Sequence, residues 1–245
     1  MDITRAGCDR GAHDALHILR SIERWFRVHE RVRSRPLRAG HRRNPSRVPR
    51  EQIVMVSSEI MALQMRVCTE PDGFWGPRSI AACKAHLHAL MPHPSPWPLQ
   101  SQAALKAFYG QPGNENNLDK IEFPFPTFYQ GKQVATTRVH EDCAHSLMRI
   151  LEDIQSRHGD NLGVMRIASD YAGVYNFRNK RGGNTYSLHA YGAAIDLAPS
   201  TNGFKDSWPV RSNMPIEIIE CFYRQGWISA AVEWGYDAQH FQATQ

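Results

Sequence analysis

SLHAYGAAID, residues 187–196, is the stretch on which the reading of this chain turns. A strand is predicted from Gly192 to Ala198, and its side chains would alternate between two faces. Ile195 and Leu197 then point to a core, while Ala194, Asp196 and Ala198 point to the other side. A single carboxylate among alanines has no packing use, and burying it unpaired is costly. A cation facing Asp196 removes that cost, and its small neighbours leave room for a ligand or metal. His189 lies seven residues earlier, and Tyr191-Gly192 lets the chain bend between the two.

One imidazole and one carboxylate make half a zinc site. The C-terminal DAQHF, residues 237–241, offers the other half, with Asp237 three residues before His240. Two neutral histidines and a carboxylate are three protein ligands, which leave a fourth position open, as in a catalytic rather than a structural zinc site. Nitrogen and oxygen donors without thiolate suit Zn²⁺, and other divalent metals share that preference. Metal-assisted hydrolysis also needs a base for the proton of water. Asp237 is placed for that role, the alternative being an Asp that caps the start of a strand. His140 and His145 on a long helix, and His86, His88 and His93 before it, lack a ligand-like arrangement.

Around these motifs the pattern is α+β. A helix is predicted from about Arg138 to His158, with Val139, Cys143, Leu147, Ile150, Leu151 and Ile154 as its core stripe. Thr136 or Thr137 would cap it and Gly159 stop it. Val164, Arg166 and Ala168 alternate with Met165 and Ile167, which predicts a strand. Asn213 and Pro215 open a further helix that Gly226 closes, and His240-Phe241-Gln242 is predicted as a terminal strand. A short helix is expected to end at Gly110, followed by an irregular stretch rich in Asn, Phe and Pro to about Lys132.

YNFRNKRGGNTYSLHAYGAAIDLAP, followed by EWGYDAQHFQ, resembles the zinc peptidases that act as D-Ala-D-Ala carboxypeptidases or L-alanyl-D-glutamate endopeptidases, including VanX- and VanY-like enzymes and phage endolysins. Ser187, His189, Gly192, Ala194 and Asp196 match the family's SxHxxGxAxD, and Asp237 and His240 match its second motif. The resemblance implies one zinc ion on His189, Asp196 and His240, with Asp237 as general base and acid. It also implies Arg178 as a catalytic cation for a substrate carboxylate or a developing oxyanion, with Arg181 as another candidate. Ser187 and Trp234 are implied as substrate-binding residues. The implied substrate is a peptidoglycan stem peptide, cut next to a D-amino acid. The competing reading is a non-catalytic wall-binding protein that retains the zinc fold.

Residues 51–91 are expected to form a small all-α module, two helices around the turn Pro71-Asp72-Gly73, with Ser57 or Ser58 as a cap. LQMRVCTEPDGFWGPRSIAACKAHL within it resembles the peptidoglycan-binding helical module of wall hydrolases, through Leu63-Gln64, Asp72-Gly73, Trp75-Gly76-Pro77 and Ser79. The alternative is a helical domain with no ligand. PHPSPWPLQ reads as a stiff linker over 92–100, and residues 101–245 as the peptidase domain, a small antiparallel sheet with flanking helices.

The net charge of +5 is unevenly placed. Residues 1–50 hold thirteen Arg, no Lys and five acidic residues, and the rest of the chain holds more acidic than basic ones. Leu16, Leu19, Ile22 and Phe26 recur at helical spacing among arginines, and residues 33–50 read as a basic tether. Such a leader could adhere to an anionic surface or stay solvated; no specific nucleic-acid binding is expected. No apolar run reaches the length of a membrane span, and the first residues lack a secretory signal pattern. The expectation is a monomer, cytoplasmic when synthesised and acting at the bacterial cell wall, with a phage origin open. Five scattered cysteines without a CxxC pair argue against a disulfide framework or thiolate zinc. A Cys68–Cys83 bridge is conceivable, and small buried hydrophobes are the plainer reading.

Overall fold

A computed structural model describes residues 57–245, so the leader expected over residues 1–50 lies outside the described residues. Two helices come first, α1 (Ser57–Arg66) and α2 (Pro77–His88). The turn between them is organised by one buried amide. Gln64 Nε2 lies 2.7 Å from Asp72 Oδ1, 2.9 Å from Ser79 Oγ and 3.0 Å from the Phe74 carbonyl, and the Gly73 N–H donates to Gln64 Oε1 at 2.9 Å. A polar side chain this buried must find partners, and Asp72, Ser79 and the backbone at 73–74 supply them. Gly73 takes φ +74, and a Cβ there would meet Ser57 Oγ at 2.1 Å.

Helix α3 (Gln102–Tyr109) leads into β1 (Leu118–Tyr129) and β2 (Lys132–His140). The expected irregular stretch up to Lys132 is therefore a long strand. Its register against β2 shifts between Glu122 and Thr127. That interval contains Pro124 and Pro126, whose missing N–H cannot serve a ladder, and these prolines hide the strand from a pattern reading. Gln130 and Gly131 both take positive φ, 50° and 82°, as a two-residue primed hairpin turn demands.

Helix α4 (Glu141–His158) starts later than its periodicity predicts, because β2 continues through Val139 and His140. The cap is His140, whose Nδ1 accepts from the Asp142 N–H at 3.3 Å, and not Thr136 or Thr137. Cys143, Leu147, Ile150, Leu151 and Ile154 form the buried stripe, and Val139 is buried on the strand. Residues 164–168 are not a strand but part of α5 (Leu162–Ser169). Asn161 caps that helix through the N–H groups of Gly163 and Val164, and Val164, Met165, Ile167 and Ala168 are buried. Four apolar residues within five positions do not separate the two periods; the cap decides.

The chain closes with β3 (Asp170–Gly173), a 3₁₀ turn at Leu188–Tyr191, β4 (Ala194–Leu197), α6 (Ile216–Arg224), β5 (Ile228–Ser229), α7 (Ala230–Glu233) and β6 (His240–Gln242). The sheet runs β2-β1-β3-β4-β6-β5. Only β1 and β3 pair in parallel, and α4 with α5 makes the crossover such a pair requires. The fold is α+β.

Leu63, Val67, Cys83, Leu87 and Trp97 join the core that also holds Leu147, Phe222, Trp227 and Phe241. Over residues 92–100, Trp97 is buried, and its indole N–H donates to the Gln225 carbonyl at 2.8 Å. The four described cysteines are free; Cys83, Cys143 and Cys221 are buried and Cys68 is exposed, so no Cys68–Cys83 bridge forms. His140 is a core histidine bonded to the Tyr109 carbonyl. Among the described residues no helix is long and apolar enough to cross a membrane.

Candidate metal centre

His189 sits in the 3₁₀ turn that delivers the chain to β4. Ser187 caps this turn by accepting the His189 N–H at 3.4 Å, and Gly192 ends it with φ 72°. Only glycine fits at 192, since a Cβ would meet Leu118 Cδ2 at 2.6 Å and the His140 nitrogen at 2.9 Å. Asp196 and His240 face each other directly across the antiparallel β4–β6 pair. Local bending and cross-strand register together bring three side chains from separate segments to one point.

The donor atoms converge closely. His189 Nε2 lies 3.2 Å from Asp196 Oδ1 and 3.2 Å from His240 Nδ1, and His240 Nδ1 lies 2.9 Å from Asp196 Oδ1. The outer nitrogens are spoken for. His189 Nδ1 is 2.7 Å from the Val174 carbonyl, an acceptor that makes Nδ1 the protonated nitrogen. Gln242 Nε2 donates to Thr244 Oγ1 at 2.7 Å, which turns Gln242 Oε1 to His240 Nε2 at 3.1 Å and protonates that nitrogen. In the neutral rings both inward-facing nitrogens then present lone pairs beside a carboxylate oxygen, three acceptors gathered at one point. A metal cation satisfies all three, and this donor set fits zinc.

Where the two imidazoles instead carry protons inward, their attraction and hydrogen bonds hold Asp196 well below the usual carboxylate range, more than reversing the rise that burial causes. Asp237 is shifted the other way. Burial raises its carboxyl and the nearby Asp196 adds to the rise, with His240, Gln239 and Arg181 offsetting part of it. Asp237 takes φ 61°, and Gln239 Nε2 donates to its Oδ1 at 2.9 Å.

A cavity of about 390 Å³ opens on this centre, lined by Arg178, Lys180, Arg181, Ser187, Asp196, Phe204, Trp234, Tyr236, Asp237, Gln239, His240 and Gln242, among others. All seven expected site residues thus meet in one place: His189, Asp196 and His240 at the centre, with Asp237, Arg178, Ser187 and Trp234 around it. Trp234 packs nearly parallel to His240, ring centroids 6.3 Å apart. Ser187 is buried, and its hydroxyl already serves the 3₁₀ turn. Arg178 also borders a second hollow of about 320 Å³ that holds Tyr129, Tyr171 and Tyr175 on the other side of His189 and Asp196.

Residues 181–243 match the D-alanyl-D-alanine carboxypeptidase family. The matched span contains both halves of the centre and stops short of Arg178 and the helix pair. It supports a peptidase, and so a hydrolase. No curated protein and no solved structure matches the chain.

Sequence reasoning missed Gln242 and Gln239 as partners of the site. The signal for Gln242 was present, because residues two apart on a strand share a face and Gln242 follows His240 at that distance. Gln242→Leu removes the acceptor on His240 Nε2, and metal affinity is expected to weaken about 10–100-fold, read by competition with a chromophoric chelator.

Proposed function

We propose that this chain is a zinc-dependent peptidase that hydrolyses peptidoglycan stem-peptide amides next to a D-amino acid. The observation that carries it is the convergence of His189, Asp196 and His240 beside Asp237 in an open cavity with Arg178 at its rim. Zinc held by these three side chains would supply Lewis acidity towards a carbonyl oxygen and towards water. Asp237 takes the proton of the attacking water and returns it to the departing nitrogen, so that water adds across the amide with no proton lost. Burial keeps this carboxylate more basic than usual, which suits a base. Arg178 offers a guanidinium to a substrate carboxylate or to the charge that develops on the carbonyl oxygen. Trp234 walls the position of the bound peptide, and the proposed place of action is the bacterial cell wall.

Incubation of the zinc-loaded protein with defined muropeptides, followed by mass spectrometry, tests the reading. The expected result is a new pair of fragments, lost with chelator and restored by Zn²⁺. Release of a terminal D-Ala identifies a carboxypeptidase, and a cut within the stem identifies an endopeptidase. Intact muropeptides in the presence of Zn²⁺ would overturn the proposal and favour a non-catalytic wall-binding protein.

A further inference from the structure

We infer that the helix pair α1–α2 buttresses one wall of the cleft, with Lys84 as a positioning residue for the segment from Trp234 to Asp237. The inference rests on the peptidase reading above and concerns what shapes its substrate site. The aromatic wall of the cavity is Phe204, Trp234 and Tyr236, with Phe204 packed edge-on against Tyr236 at 5.8 Å. The helix pair grips both segments that carry it. Trp75, in the turn before α2, meets Trp208 edge-on at 5.5 Å, and the buried Trp208 indole donates to the Met214 carbonyl at 2.8 Å.

The second grip is on Glu233, the residue before Trp234. Lys84 Nζ donates to the Glu233 backbone carbonyl at 3.1 Å and pairs with its carboxylate at 3.4 Å. A lysine on a carbonyl at a helix C-terminus satisfies an otherwise orphaned acceptor. The same carboxylate takes His88 Nε2 at 2.8 Å and the Tyr223 hydroxyl at 2.7 Å. Four interactions thus fix the point from which the chain runs to Trp234, Tyr236 and Asp237. Asp237 needs such support, because a non-glycine residue in the left-handed region persists only where its surroundings over-determine it.

Other contacts of the helix pair go elsewhere. Arg66 binds Glu217 and Glu220, and His86 binds Glu220, all on α6. These residues hold the pair to the body without touching the wall. They provide the control: Glu220 is buried, so removing its Arg66 partner costs at least as much stability as removing Lys84, without touching the wall.

The experiment compares Lys84→Met, Lys84→Arg, His88→Gln and Arg66→Met in the full zinc-loaded chain. For Lys84→Met, kcat/KM on a cleaved muropeptide is expected to fall about ten-fold, through kcat as Asp237 shifts and through KM as Trp234 shifts, with one equivalent of zinc retained. Exchange of the Trp234 amide, which donates to the Ala230 carbonyl, is expected to quicken about ten-fold. Lys84→Arg restores both, and Arg66→Met leaves both at the wild-type value. Unchanged kinetics and exchange in Lys84→Met, whatever its melting shift, would overturn the inference. Should Lys84→Met not fold, His88→Gln carries the same comparison, because its ring is half exposed. If the wild type cuts no muropeptide, the peptidase reading fails, while the exchange comparison still decides the buttress.

Discussion

Asp237→Asn is expected to lower kcat by about 100- to 10,000-fold while one equivalent of zinc stays bound. The substitution keeps the volume of the side chain and its position beside the centre, and removes only the ability to accept a proton. None of the three converging metal-facing atoms belongs to residue 237, so metal content measured by emission spectroscopy should be unchanged. KM is expected to move little, because a proton acceptor acts in the transition state and not in ground-state binding. The pH profile gives a second readout. Burial raises the Asp237 carboxyl above its ordinary value, and a base works only when ionised. Activity of the zinc-loaded enzyme should therefore fall as pH drops and the Asp237 carboxyl takes up its proton. Full activity in Asp237→Asn would show that the proton goes elsewhere.

Removal of the metal is the second large effect. A chelated sample should lose peptide cleavage entirely and melt at a lower temperature, and added Zn²⁺ should restore both. Where free zinc stands a thousand-fold above its dissociation constant, its binding stabilises the native state by about 4 kcal/mol. The physical cause is specific to this centre. His189 and His240 turn their outer nitrogens to the Val174 carbonyl and Gln242 Oε1, so in the neutral rings the inner lone pairs join the Asp196 carboxylate as a donor set for a cation. His189→Ala should reduce tight zinc binding below one equivalent, abolish the metal-dependent rise in melting temperature and leave no measurable cleavage. Retention of one tightly held zinc in that variant would refute this ligand set.

Why the centre could be read from the chain follows from its construction. His189, Asp196, Asp237 and His240 lie in two short segments, each pairing a ligand-type residue on a strand with another in the turn that leads to it. Asp196 among alanines was legible because a lone carboxylate in an otherwise small, apolar strand has no packing explanation. The same reasoning reaches Gln242, which lies two residues after His240 on β6 and holds the outer nitrogen of that ring. Elsewhere local pattern misled. Pro124 and Pro126 concealed the long strand β1, and the alternation at 164–168 passed for a strand until the Asn161 cap and the burial of Val164, Met165, Ile167 and Ala168 identified a helix.

Two things were decided by tertiary structure alone. One is the meeting of the two segments, which depends on Asp196 and His240 falling opposite one another across antiparallel strands. The other is the docking of α1–α2, where Lys84 and His88 reach Glu233 and Arg66 reaches Glu217 and Glu220. Residue type and spacing determine what chemistry a segment can do, because they act over a few residues of backbone. Which segments face each other depends on how the whole core packs, and no local periodicity records that.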